Sequence, residues 1–242
     1  MKRRLIAWMF LAVMLLSVCG GTVGGAEGAL SPGDIVTYGR YEQDNDQQNG
    51  PEPIEWIVLD QREGKVLLLS RYVLDAMPFH AAKEGDTWES YGVVFWDRCT
   101  LRTWLNGEFL NVAFTPEEQA AILLTDVDNS AAQSAADREA KPGDDTQDQI
   151  FLLSYHEAGD LYFADLEARR CAPTDYAASR GVYAAPYFQA DGRDTCYWWL
   201  RSSTPSHDYH AGAVANVGYL DSLIAYAGDA GVRPALWLDL AR

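Results

Sequence analysis

Apolar residues along this chain fall into short runs of two different periods, with turn-forming residues between them. Ser31-Pro32-Gly33-Asp34 is a turn signal that opens a strand over 35–41. Residues 54–60 (IEWIVLD) and 65–70 (KVLLLS) are β-branched or apolar runs joined across 61–64, with Gly64 where a hairpin needs a positive φ. The second run is almost wholly apolar, which predicts burial on both faces. The period then lengthens. Thr100 is placed to cap a helix in which Leu101, Trp104 and Leu105 share one face, and Asn106-Gly107 interrupts or ends it. Thr115-Pro116-Glu117-Glu118 combines an N-cap, a proline at the first helical position and two carboxylates at the positive helix end, predicting a helix over 116–123.

Beyond a polar stretch at 128–149 without apolar periodicity, read as a surface insertion, a short strand is expected at 150–154 and helices at 155–163 and 174–179. Strand-like runs follow at 197–201, 213–217 and 232–239 around Pro234. A hairpin near the start, helices in the middle and strands at the end predict one α+β domain over 31–242, its C-terminal strands pairing with the N-terminal strand. The polar stretch 42–50 reads as a solvated loop, and no internal repeat is visible.

Composition narrows the function classes. The 242 residues are 48% apolar, enough for a sizeable core, and carry 19 Lys and Arg against 35 Asp and Glu, a net charge of −16. Such a field repels a phosphate backbone, so nucleic-acid binding is excluded. The one basic block, Lys2-Arg3-Arg4, precedes an apolar run over 5–16 and small residues through Ala26. Residues 1–26 read as a secretory signal peptide, the apolar run falling short of the ~20 residues of a membrane span. Its removal takes three basic residues and no acidic one, shifting the net charge from −16 to −19. Cys19, after Leu16-Ser17-Val18, also resembles a lipoprotein processing site. Either route places the protein outside the cytoplasm, extracellular or at the cell surface, with the membrane touched only by the signal or a lipid. Cys99, Cys171 and Cys196 remain, an odd number that permits one disulfide, for which Cys171 and Cys196 are the candidates; a three-cysteine zinc site lacks any C-x-x-C spacing.

Five blocks, at 53–60 (PIEWIVLD), 99–106 (CTLRTWLN), 109–114, 198–202 (WWLRS) and 231–237 (GVRPALW), resemble the signatures of a bacterial family, domain of unknown function 6273, found on exported and surface proteins. That resemblance spans about 33–240 and implies no activity. A late Trp-rich strand, mid-chain helices and a terminal Gly-x-Arg strand also resemble the C-type-lectin-like fold, which implies ligand binding. The oxidase chemistry of the formylglycine-generating enzymes in that group needs late cysteines, and none follows Cys196. The Glu-Pro-Asn, Gln-Pro-Asp and Trp-Asn-Asp triplets of its calcium-dependent lectins are missing, so no cofactor is expected.

Candidate chemistry is sparse. His207, Asp208 and His210 offer an H-x-x-H spacing with a carboxylate, a weak metal candidate and the place where an enzyme site would lie. Ser202, His207 and Asp208 lack the strained elbow that presents a catalytic serine. Trp198 and Trp199 are adjacent on a strand and must point to opposite faces, one into the core and the other toward the far side or solvent. Arg102, Arg201 and Arg233 stand in apolar blocks and need partners, either Glu55, Asp60 and Asp239 or a ligand groove. The favoured expectation is a non-catalytic module that contacts a glycan, peptide or protein through loops at 183–193 and 203–226, with Trp198, Trp199, Arg201, Tyr209 and Arg233 as ligand-binding candidates.

Overall fold

The structure is a computed structural model that describes residues 30–82, 92–205 and 208–242; the signal segment, Cys19 and His207 lie outside these. Strand β1 (Ile35–Tyr41) follows the predicted turn, where Gly33 has φ 95° and Asp34 accepts from the Ser31 N–H at 2.8 Å. It runs antiparallel to β2 (Glu52–Arg62), which turns back into β3 (Lys65–Ser70). Pairing persists to Arg62 opposite Lys65, so the loop is two residues rather than four. Glu63 and Gly64 both have positive φ, 52° and 76°, the primed turn that matches strand twist. The short strand β4 (Asp75–Ala76) follows.

Helix α1 (Thr100–Trp104) is capped by Cys99, whose Sγ accepts from the Arg102 N–H. Thr100 is not the cap; its hydroxyl accepts from the Ala81 N–H at 2.7 Å. Asn106-Gly107 does not end the helical path but lies in a π turn (Leu105–Phe109) that leads into α2 (Leu110–Ala113). That turn frees Asn106 to bind the 149–150 backbone, accepting from both N–H groups and donating to the Ile150 carbonyl. Helix α3 (Pro116–Ala121) begins with the expected capping box, Thr115 and Glu118 each binding the other's N–H.

Segment 128–149 is more than solvated surface. It connects β5 (Thr125–Val127) to β6 (Thr146–Asp148) and buries Asn129, Thr146 and Asp148. Asp148 accepts from Trp96 Nε1 at 2.8 Å and Arg102 Nε at 2.7 Å. Residues 150–154 form no strand, because Phe151 makes a single bridge to Ala235 while Asn106 occupies the preceding backbone. Helices α4 (Leu166–Arg169) and α5 (Asp175–Ser179) follow, α5 capped by Thr174, and then the hairpin β7 (Ala184–Ala190) and β8 (Arg193–Cys196).

The last third holds β9 (Trp198–Ser203), β10 (His210–Val214), β11 (Leu220–Ile224), β12 (Gly231–Val232) and β13 (Ala235–Asp239). The run expected at 213–217 ends at Val214, because a turn closed by Gly218 begins there. The run expected at 232–239 is two strands in two sheets. β13 pairs antiparallel with β3, completing the sheet β1-β2-β3-β13, whereas β12 joins the sheet β11-β10-β9-β12-β4. Pro234 has no N–H for a ladder, so the chain changes sheet at Arg233-Pro234. The fold is mixed α+β, mostly strand, and the C-terminal strand closes against the N-terminal hairpin. Trp56, Trp96, Trp198 and Trp199 are fully buried between these elements.

Candidate functional site

The buried arginines divide by partner. Arg201, 4% exposed, grips Glu157 with both terminal nitrogens, one of them bonding Oε1 at 3.0 Å, and also donates to the carbonyls of Leu152 and Asp128. Only its Nε lacks a partner. Arg102 pairs with Asp148, Glu55 with Arg71, Asp60 with Arg62 and Asp239 with Arg242, so none of the expected arginine partners applies. The cavity beside Arg201 holds about 10 Å³, the size of a water molecule.

Arg233 differs. It is 2% exposed, donates through Nε to the Ser70 carbonyl at 3.0 Å, and lies 4.8 Å from the Trp198 ring centre and 5.8 Å from that of Phe163. Among the described residues no carboxylate pairs with it, and its buried Nη1 has no hydrogen-bond partner. Burial pulls its pKa below the ordinary arginine range, against the opposing influence of Cys171, Cys196 and Asp191.

Arg233 lines a cavity of about 300 Å³. Its position follows from the sheet change at Pro234, which holds the side chain between the two sheets. The strand end after Ser70 brings Arg71 and Tyr72 to the same cavity, α4 brings Glu167, and the β7–β8 turn brings Asp191. Arg71 is committed, at 2.8 Å to Glu55 and 2.9 Å to Asp191. Arg170 also lines the space, donating to the Val217 carbonyl and lying over Phe188, with no carboxylate partner among the described residues. Sequence reasoning singled out Arg233 by its apolar block and the 183–193 loop that holds Asp191, but missed Arg71, Glu167 and Arg170, ordinary charges until the fold gathers them.

The other candidates lie elsewhere. Trp198 and Trp199 do point to opposite sides, their indole N–H groups donating to the carbonyls of Arg169 and Met77, but both are 0% exposed. Neither can be an exposed aromatic platform, since both sheet faces are covered. Tyr209, half-buried, packs on His210 with ring centres 5.0 Å apart and is not among the described residues that line the cavity. Asp208 pairs with Lys141 at 2.6 Å, His210 Nδ1 meets Ser222 Oγ at 3.2 Å, and His207 lies outside the described residues. Ser202 is buried, its hydroxyl accepting from the Tyr155 N–H. Glu42 and Asp44, in the loop expected to be solvated, and Glu52, at the start of β2, bring carboxylate oxygens within 4.8 Å of one another.

Cys99, Cys171 and Cys196 are free and buried, so the expected Cys171–Cys196 disulfide is not formed. The two are neighbours, the Cys196 N–H donating to the Cys171 carbonyl at 2.9 Å, but each thiol is engaged with a backbone carbonyl instead. Burial pushes the Cys99 thiol up to about 12 and raises the other two.

Among the described residues no helix is long and apolar enough to cross a membrane. A family model described as "Domain of unknown function (DUF6273)" matches residues 63–240. The match begins in the β2–β3 turn, covering four of the five sequence blocks and leaving 53–60 ahead of it. No curated protein matches, and no solved structure does.

Proposed function

The chain belongs to the domain of unknown function 6273 family, and from that premise we propose that it is an exported, non-catalytic binding module whose ligand site is the cavity around Arg233. The observation that carries this reading is the buried guanidinium in that cavity, which has no carboxylate partner among the described residues and an unbonded Nη1. A buried charge without a partner is costly, and the same chain supplies carboxylates to Arg102 and Arg201. A volume of about 300 Å³ is at the lower end for small-molecule sites. The hairpin at 183–193 was expected to contact ligand; its turn borders the cavity, and it carries Tyr187, 83% exposed. The ligand is then a glycan, a peptide end or part of a surface protein, reached after export through the 1–26 signal, with Cys19 as the alternative lipid anchor. The C-type-lectin-like resemblance belongs to this proposal and rests on the Gly231-Val232-Arg233 sequence, in which Arg233 follows β12.

A thermal-shift screen of the purified protein against glycan, peptide and metabolite panels, run beside Ala168→Trp, tests it. Ala168 is an exposed α4 residue at the cavity, and the indole would fill the space without touching the core. Hits that vanish in the variant are expected. An empty screen, hits indifferent to Ala168→Trp, or turnover of any hit would refute the reading.

A further inference from the structure

We propose that the ligand is held by a carboxylate group that pairs with Arg233; this rests on the cavity being the binding site. The cavity is lined by three arginines, Arg71, Arg170 and Arg233, and two carboxylates, Glu167 and Asp191, in a chain whose net charge is −16. Arg71 is spent on Glu55 and Asp191, which leaves Arg170 and Arg233 without a carboxylate partner among the described residues. A single negative charge supplies the counter-charge that Arg233 lacks. A phosphate dianion overshoots it and must also approach Glu167 and Asp191 in a partly desolvated space, where repulsion between like charges is strongest.

Geometry favours the same class. Arg233 spends Nε on Ser70 and leaves Nη1 without a bond, so its planar guanidinium retains donors for a carboxylate. The Trp198 and Phe163 rings hold the guanidinium from the protein side, fixing its position before any ligand arrives. The Tyr72 ring already carries the guanidiniums of Arg71 and Arg193, at 5.2 Å and 5.5 Å, so recognition rests on charge rather than on stacking against that ring. Cys171 lines the same wall as a buried thiol and adds no competing negative charge at neutral pH.

The experiment titrates the purified full chain with sodium acetate, methyl sulfate and sodium phosphate at pH 7.5 and constant ionic strength, following the arginine Nε resonances by NMR, with Arg233 assigned from the loss of its signal in Arg233→Met. Acetate is expected to shift the Arg233 resonance saturably, with methyl sulfate weaker and phosphate weakest. Arg233→Met strands no carboxylate and is expected to fold and to lose the acetate response of the remaining signals. Glu167→Gln, on an exposed helix position, removes one repelling charge and is expected to tighten acetate binding by about two- to fivefold. No saturable acetate shift, tighter phosphate than acetate binding, or an unchanged acetate affinity in Glu167→Gln overturns the proposal; the last decides if Arg233→Met does not fold. Cavity-dependent hits in the neutral panels without an acetate response would defeat this inference alone, whereas the absence of both would defeat the binding reading with it.

Discussion

The guanidinium of Arg233 lies 4.8 Å from the centre of the Trp198 indole, a contact that stands where Arg201 has the carboxylate of Glu157. The indole also donates to the Arg169 carbonyl at 3.1 Å, tying β9 to α4 beside the cavity. Replacing Trp198 by Leu removes that bond and the ring face and leaves a void in a fully buried site. A loss of about 3 kcal/mol in urea unfolding is expected; a loss below about 1 kcal/mol would show that the ring is not needed to hold the charge.

Glu157→Ala leaves Arg201 buried with carbonyl partners and no counter-charge, for which a cost of about 3–5 kcal/mol is expected. The double variant Glu157→Ala with Arg201→Met removes the stranded charge and should recover part of that loss. A double variant as unstable as the sum of the single changes would mean that the two residues are not coupled.

The three buried thiols bind their protons more tightly folded than unfolded. Unfolding therefore releases protons above about pH 9, the ordinary thiol value, and stability falls as pH rises from there toward about 12, where Cys99 titrates in the native state. Each thiol adds a slope of up to about 1.4 kcal/mol per pH unit. Tyr38, Tyr41 and Tyr155, all raised by burial, act in the same direction from about pH 10. Urea midpoints from pH 7 to 11 should be flat and then drop, and iodoacetamide at pH 8 should label these thiols only in denaturant. Fast labelling of native Cys171 would show the cavity wall to be open.

Gly218 has φ 95°, and a Cβ there would lie 1.9 Å from the Leu166 carbonyl oxygen. Gly218→Ala must shift α4 or the β10–β11 turn, at an expected cost of several kcal/mol. Gly192, also at positive φ but with open space around it, serves as the control, and Gly192→Ala should cost about 1 kcal/mol. Equal thermal midpoints for the two variants would contradict the close approach.

Features that depend on a few neighbouring residues were legible in the sequence. Gly64 closes the hairpin, Thr115 to Glu118 start α3 and the helix expected at 174–179 is α5, because caps and turns are satisfied within three or four positions. The family blocks at 99–106, 198–202 and 231–237 fall inside the matched segment for the same reason, being contiguous strings. The π turn at Leu105–Phe109 was legible only as an interruption, since what sustains it is Asn106 binding backbone more than forty positions away.

The sequence by itself determined where turns, caps and apolar runs stand and that three arginines sit in apolar blocks needing partners. Which partner each one meets was decided by the tertiary structure, because Asp148 and Glu157 lie 46 and 44 positions from Arg102 and Arg201 and no local pattern encodes such pairings. Alternation put Trp198 and Trp199 on opposite faces, but their exposure depended on what covers each face, and both faces are covered. The cavity at Arg233 exists only because Pro234 ends one strand pairing and the chain begins another in a second sheet, drawing together side chains from strand ends, a short helix and a hairpin turn.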